Sequence, residues 1–306
     1  MTEHNARDSV SVIVAFHNAA ATIGSCLDSL LAQASDEVEI VLVDDASTDG
    51  GSDLVSRGPN IRLIRQPRGG AYVARNRGVQ ESRGSLLLFT DADCVAEARW
   101  IATVREAMRD PRVQVVLGQR LAPPGATGLG LVFDYEHARD RYVLESFRPE
   151  LYYGHANNMA IRRSTFERLG PFVVPMRGSD SVLVRRVVDE YGCDAVVYRP
   201  DALVTHLELG GLWAYYRKVF TYGRHRRLTR ALGSARALSA HDRREVAALA
   251  ARSGRYGLAR RVGLWVVLVG GMLAWSAGSS SAPFTGHSAR LAVRRATPAV
   301  QSRRDR

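Results

Sequence analysis

Cysteine and lysine are the scarce residues of this chain. Three cysteines occur in 306 residues, Cys26, Cys94 and Cys193, far apart and odd in number. That usage argues against a disulfide framework or a zinc site and fits a reducing compartment. Lys218 is the only lysine among 42 basic residues, a bias that genomic base composition can produce. No apolar run reaches the ~20 residues of a membrane-spanning helix. Residues 262–275 come nearest, with 14 residues and no polar side chain except two tryptophans. Such a run reads as a membrane-interface or core-packing helix with tryptophan at its ends. The N-terminus, MTEHNARDSV, lacks a basic start and an apolar stretch, so no signal peptide is expected. No repeat or long low-complexity segment interrupts the pattern.

What remains is ordinary for a globular protein, with 46% hydrophobic and 24% charged residues. The length suits one large core, or a main domain with a smaller appendage. Charge is unevenly spread. Residues 217–306 hold 19 basic and 3 acidic residues, a balance of +16, whereas residues 1–216 balance at −5. The C-terminal third is therefore a cationic block suited to an anionic membrane surface or nucleic acid.

Short β-branched runs alternate with helical periodicity up to about residue 118. Strands are expected at 10–16, 38–43, 61–65, 86–91 and 113–118. Helices are expected at 20–34, after Ser47 to about 55, at 71–83 and at 98–109. That alternation predicts a parallel, doubly wound α/β sheet. Residues 121–151 read as irregular with a mixed helical stretch. Beyond them the pattern predicts a strand at 153–161, helices at 164–169 and 181–191, and two short strands at 193–197 and 202–205. The chain past Gly210 reads as helical, basic and aromatic, and from Ser276 onward as disordered.

The segment LLLFTDADCV carries the sharpest chemistry. Its apolar run reads as a buried strand ending in Asp91 and Asp93, at the sheet edge where open α/β folds bind ligands. Residues i and i+2 of an extended segment point the same way, so the two carboxylates converge. They repel unless a proton or cation lies between them, and oxygen ligands suit Mg²⁺ or Mn²⁺. A strand-end aspartate also serves as a helix cap, so the pair gains weight only from its surroundings.

Those surroundings resemble the family 2 glycosyltransferases of GT-A fold, over roughly residues 9 to 225. VSVIVAFHN with TIGSCLDSLLAQ resembles the family's opening strand and helix, and VLVDDASTDG its nucleotide-binding segment. GGAYVARNRGV resembles its glycine-loop helix and FTDADC its metal-binding DxD motif. NNMAIRRSTFERLGPF and GSDSVLVRRV are similar to the acceptor-side strand and the segment with the catalytic base, and HLELGGLWAYYRKVFTYGRH to the C-terminal segment of non-processive members. There are departures. Ala15 stands where proline is usual, Gly-Ser-Asp replaces an acidic pair, GPFVV lacks the usual acidic residues, and no QxxRW occurs. The last argues against a processive synthase.

The resemblance implies three functional units: residues 1–120 for the nucleotide sugar, 121–225 for the acceptor and the base, and 226–306 as a basic helical extension. It implies that Ala15, His17, Asp45, Arg75 and Asp91 contact the donor, and that Asp91, Asp93 and His206 hold the metal. Asp45 would accept from the nucleotide base, although Asp-Asp-Ala-Ser is also a competent turn. Arg75 would approach the diphosphate or pair with Asp91. Asp180 would be the general base, a role compatible with capping its helix. His155 reads as structural. Tyr215, Tyr216, Phe220 and Tyr222, interleaved with Arg217, Lys218, Arg224, Arg226 and Arg227, would meet a lipid-phosphate acceptor or simply pack.

The expectation is a cytoplasmic, Mg²⁺- or Mn²⁺-dependent, inverting hexosyl-type transferase. Its donor would be a UDP-, GDP- or dTDP-sugar, and its acceptor a glycan or lipid-linked hydroxyl in cell-envelope, polysaccharide or glycolipid synthesis. It would lie peripherally on the inner membrane face. Three alternatives stand beside it. A silent sugar-nucleotide-binding scaffold would have no need of Asp180. A nucleic-acid binder would leave the DxD without purpose. The haloacid-dehalogenase phosphatase motif fits DADCV literally, but belongs on a first strand, and here three strands precede it.

Overall fold

The structure, a computed structural model, describes residues 9–55, 58–123, 125–126, 129–174, 177–207, 211–231 and 236–281. The first β-branched run forms β1 (Val10–Phe16), buried throughout. After it come α1 (Ile23–Leu31), β2 (Val38–Asp44), a 3-10 turn at Gly51–Leu54 and β3 (Ile61–Arg65). Next are α2 (Ala71–Glu81) and β4 (Leu86–Asp91). These four strands pair in parallel in the order β3-β2-β1-β4.

Side chains of β1 alternate between two cores, as strand geometry requires. Val10, Val12, Val14 and Phe16 pack with α1 and with Trp100, Ile101 and Val104 of α3 (Trp100–Ala107). Ile13, on the other face, packs with Val79 of α2, Phe166 of α5 (Arg163–Leu169) and Val184 and Val187 of α6 (Ser179–Tyr191).

The second half is mixed rather than purely parallel. Here β5 (Cys94–Ala96), β6 (Val115–Leu121), β7 (Asn158–Arg162) and β8 (Val196–His206) extend the sheet to β3-β2-β1-β4-β7-β6-β8-β5. Strand β7 runs antiparallel to both β4 and β6, so residues of both proposed halves share one continuous sheet. Several elements differ from expectation. The helical stretch expected within residues 121–151 is the continuous α4 (Leu129–Leu144). Strand β7 begins at Asn158, five residues late, because a turn precedes it, closed by Asn158 N–H on the His155 carbonyl oxygen at 3.2 Å. The two short strands expected at 193–197 and 202–205 are a 3-10 turn, Cys193–Ala195, and the single strand β8. Pro200 and Asp201 break the apolar pattern there, and the ladder absorbs them by a register shift at Gly118/Gln119.

Three more helices follow, α7 (Leu212–Ala231), α8 (Ala240–Ser253) and α9 (Leu258–Ser280). A capping box between Ser239 and Asp242 starts α8, which packs on α4 through Tyr135, Ala138, Val246 and Ala250. The 14-residue apolar run is the middle of the longer α9, which also takes in Ser276–Ser280, where disorder was expected. Residues 282–306 lie outside the described residues.

Candidate active site

Parallel strands β1, β2 and β4 end on one edge of the sheet, and α2 starts from the same edge. The loops at that edge are cross-linked. Asn18 N–H donates to Ser47 Oγ at 3.0 Å, and Asn18 Oδ1 accepts from Thr48 N–H at 2.8 Å. Asp44 caps the following turn, accepting from Ser47 N–H at 2.8 Å and from the Ser52 hydroxyl. Asp45 is 2% exposed, and both its oxygens are occupied. Oδ1 accepts from Gln66 Nε2 and Gly69 N–H, and Oδ2 from Arg68 Nη1 and Gly70 N–H. Burial works to raise this carboxyl, but the Gln66, Gly69 and Gly70 donors outweigh it and hold the pKa below the usual range. Asp45 therefore orders the Gly69–Gly70 loop, in which Gly70 takes φ +92°, a conformation that favours glycine. Ala15 lies in register with Val43 and Asp91, packed among Val43 and Ala74. His17, half-buried, follows β1 with its Nδ1 unpartnered.

Asp91 and Asp93 leave β4 toward different partners. Asp91 Oδ1 is taken by the buried Arg75 guanidinium, which also lies 5.1 Å over the Tyr72 ring. Asp93 Oδ2 faces His206 Nε2 at 3.5 Å. Burial, reinforced by the Asp91 carboxylate, pushes Asp93 up to about 6. Burial and the nearby Lys218 ammonium push His206 down to about 4, so its imidazole is neutral near pH 7.

Ligand atoms of Asp93, Cys94 and His206 lie within 4.8 Å of one another, the arrangement a metal ion requires. Asp91 is outside this group. The Cys94 thiol is pushed well above its ordinary value by burial and by Asp91, so it stays protonated and ligates poorly. A carboxylate and a neutral imidazole remain, with His206 Nδ1 buried and unpartnered. This donor pair fits a divalent cation that keeps open positions for oxygen ligands.

Asp180 opens α6 behind the left-handed Gly178. Its Oδ2 accepts from Ala156 N–H and its Oδ1 from Ser181 N–H, both at 2.9 Å. Burial raises its pKa against these donors and the Arg75 charge. The Tyr72 hydroxyl reaches the same carboxylate, and Arg75 feels both Asp91 and Asp180. Asp180, Tyr72, Arg75 and Asp91 thus form one contiguous polar chain leading to Asp93 and His206.

Comparison with known proteins gives this arrangement a family. The chain matches the family model "Glycosyl transferase family 2" over residues 11–170, just over half its length. The chain belongs to glycosyl transferase family 2. A PGL/p-HBAD biosynthesis glycosyltransferase of Mycobacterium bovis is 43% identical over 88 residues, 27% of this chain and 34% of that protein. Glycosyltransferase AglE of Haloferax volcanii is 28% identical over 172 residues, 53% of this chain and 55% of that protein. The chain spans from about a sixth to just over half the length of these and other curated relatives.

The fold is that of a solved mannosyltransferase from Pyrobaculum calidifontis in complex with GDP-Man and Mn²⁺. The TM-score is 0.61 at 23% identity, covering 95% of this chain and 80% of that one. Glucosyl-3-phosphoglycerate synthase of Mycobacterium tuberculosis, in complex with phosphoglyceric acid, gives a TM-score of 0.53 at 22% identity, covering 74% of this chain and 79% of that one. These likenesses match the expected GT-A architecture.

Around these carboxylates, sequence reasoning passed over Tyr72 and set Lys218 with the residues for a lipid-phosphate acceptor rather than beside Asp93. Tyr72 had a usable signal, since it stands three residues before Arg75 on α2 and so shares its face. The nearness of Lys218 to Asp93 had none, because it depends on where α7 docks. His155 is structural in the first instance, its Nε2 3.0 Å from the Gly118 carbonyl oxygen.

Proposed function

We propose that this chain is an inverting glycosyltransferase that moves a sugar from a nucleoside-diphosphate donor to an acceptor hydroxyl. The observation that carries the reading is the polar chain from Asp180 through Tyr72 and Arg75 to Asp91. It links a partly desolvated carboxylate to the DxD edge of the sheet. Asp180, oriented by two backbone N–H groups, takes the proton of the acceptor hydroxyl as its oxygen attacks C1 of the donor sugar. The C1–O bond to the diphosphate breaks on the opposite face. Arg75 holds Asp91 in place toward the donor, and the Asp45-ordered loop shapes the nucleotide end. Asp93 and His206 would hold Mn²⁺ or Mg²⁺, with Asp91 beside them, and the bound ion would neutralise the leaving diphosphate. Fixing both substrates removes much of the entropic barrier.

The acceptor in this reading is a glycan or lipid-linked hydroxyl used in cell-envelope synthesis. The +16 balance of residues 217–306 supports a position on the cytoplasmic face of a membrane. A thermal-shift panel of UDP-, GDP- and dTDP-sugars with and without Mn²⁺ tests the donor site, because ligands of the native state raise Tm. One nucleotide should give a metal-dependent shift that Asp93→Ala abolishes. No shift with any of them from folded protein would reject the reading.

A further inference from the structure

Helix α9 has two unlike faces. Its inner face is small and closely packed: a Cβ on Gly278 would meet the Phe220 carbonyl oxygen of α7 at 2.1 Å, and one on Gly223 of α7 would meet the Trp275 carbonyl oxygen at 2.3 Å. Leu264 and Val267 complete that side against α4 and α7. The outer face carries Leu258, Val262, Trp265, Val266, Val269 and Leu273, between 43% and 80% exposed. Their spacing of three, four and seven residues sets them in one stripe along about four turns. Stripes of this extent on a soluble surface mark an interaction site.

Charge identifies the occupant. Arg252, Arg255, Arg260 and Arg261 are exposed around the start of α9, and no acidic residue occurs between Glu245 and Asp305. Arg217 and Arg224 stand exposed on the adjoining α7. A second copy of this chain would bring the same positive charge to the contact. An anionic lipid surface offers the opposite charge and an apolar layer beneath it.

We infer that α9 lies in the plane of an anionic bilayer surface, with its outer stripe in the acyl boundary and the arginines among the headgroups. Composition alone would allow α9 to span, since it has 23 residues and a mean hydropathy of 1.6 in its most apolar window. Packing argues against this arrangement, because the inner face is covered by α4 near Gly263 and Leu264 and by α7 from Val267 to Gly278, and spanning would carry Arg217 into hydrocarbon. This rests on the membrane position proposed above and adds the surface that makes it.

The test is flotation of the full chain with vesicles of phosphatidylglycerol and phosphatidylcholine, against phosphatidylcholine alone. Wild type should float with the anionic vesicles, and part of that binding should persist at high salt through the apolar stripe. Val266→Glu with Leu273→Glu should cut partition by about tenfold or more. Both sites are exposed, and an unchanged melting curve and donor-induced thermal shift establish that the variant is folded with its donor site intact. Equal flotation of variant and wild type overturns the α9 surface while leaving the membrane position standing. No flotation of wild type overturns both, and the donor shift still reports on the transferase reading. Resistance to alkaline carbonate extraction would overturn the in-plane placement in favour of spanning. Dimerisation abolished by the same two substitutions, without vesicle binding, would assign the stripe to a second copy.

Discussion

At the scale of single residues, the proposed site sets two carboxylates, Asp180 and Asp93, among different partners. Asp180, half-buried, is held by backbone donors and the Tyr72 hydroxyl. Asp180→Asn should lower kcat by about 10²–10⁴-fold, the usual worth of a general base, while the donor-induced thermal shift stays. Tyr72→Phe removes a hydrogen bond that favours the charged form of Asp180. Its pKa then rises further, and the acid limb of the kcat profile should move to higher pH with donor affinity unchanged. A profile that does not move would remove Tyr72 from its positioning role. Asp93, pushed up to about 6, binds protons in the range where it would ligate metal. The Mn²⁺-induced rise in Tm should therefore be large at pH 7.5 and shrink toward pH 5, as protons compete for the carboxylate.

At the scale of elements, close approach and buried polar ties fix the sheet. A Cβ on Gly78 of α2 would lie 2.5 Å from Ile13 Cγ2 of β1. Gly78→Ala should cost about 1–3 kcal/mol through overpacking, read as a lower urea midpoint with an unchanged m-value. Asn158 ties three elements at the mouth of β7. Its Nδ2 donates to the Gln119 and Ala202 carbonyls at 2.9 and 2.8 Å, and its Oδ1 accepts from Trp100 Nε1 at 2.8 Å. Asn158→Ala leaves these groups buried without partners and should cost about 1–3 kcal/mol for each one left unpaired. Such ties explain the limits of periodicity. The apolar runs at residues 10–16 and 38–43 are local and were legible in the chain. A lone asparagine holding β6, β8 and α3 together leaves no periodic trace. The three-residue β5 is too short to announce itself, and it exists because Cys94 to Ala96 pair with Val204 to His206.

At the scale of the whole molecule, two buried histidines set the response to acid. Burial, aided by nearby Arg120 for His155 and by Lys218 for His206, pushes both down to about 4. The unfolded chain, with histidine near 6.5, binds more protons than the folded one between about pH 6.5 and 4. Stability should fall as pH drops through that window. Asp93 acts in the opposite sense in metal-free protein, because its raised pKa lets the folded state take up a proton near pH 6. Asp180, raised by burial, acts in the same sense as Asp93. The depressed histidines, His137 included, together with carboxyls held below their ordinary range such as Asp140 and Asp242, leave a net loss. Calorimetry of metal-free protein from pH 7.5 to 4.5 should show Tm decreasing, and a flat or rising Tm would contradict the assignment of buried neutral histidines.

The sequence by itself determined the order of strands and helices in the first half, the strand-end position of Asp91 and Asp93, and the cationic C-terminal third. Each depends on neighbours within a few residues, so spacing and composition suffice. Tertiary structure alone decided that Asp180 meets Tyr72, 108 positions earlier, and that His206 faces Asp93 across the β5–β8 ladder. It also decided that α9 turns glycines inward and apolar side chains out. Those outcomes follow from β7 inserting between β4 and β6 and from the docking of α7. They are long-range choices made by packing, and no local period encodes them.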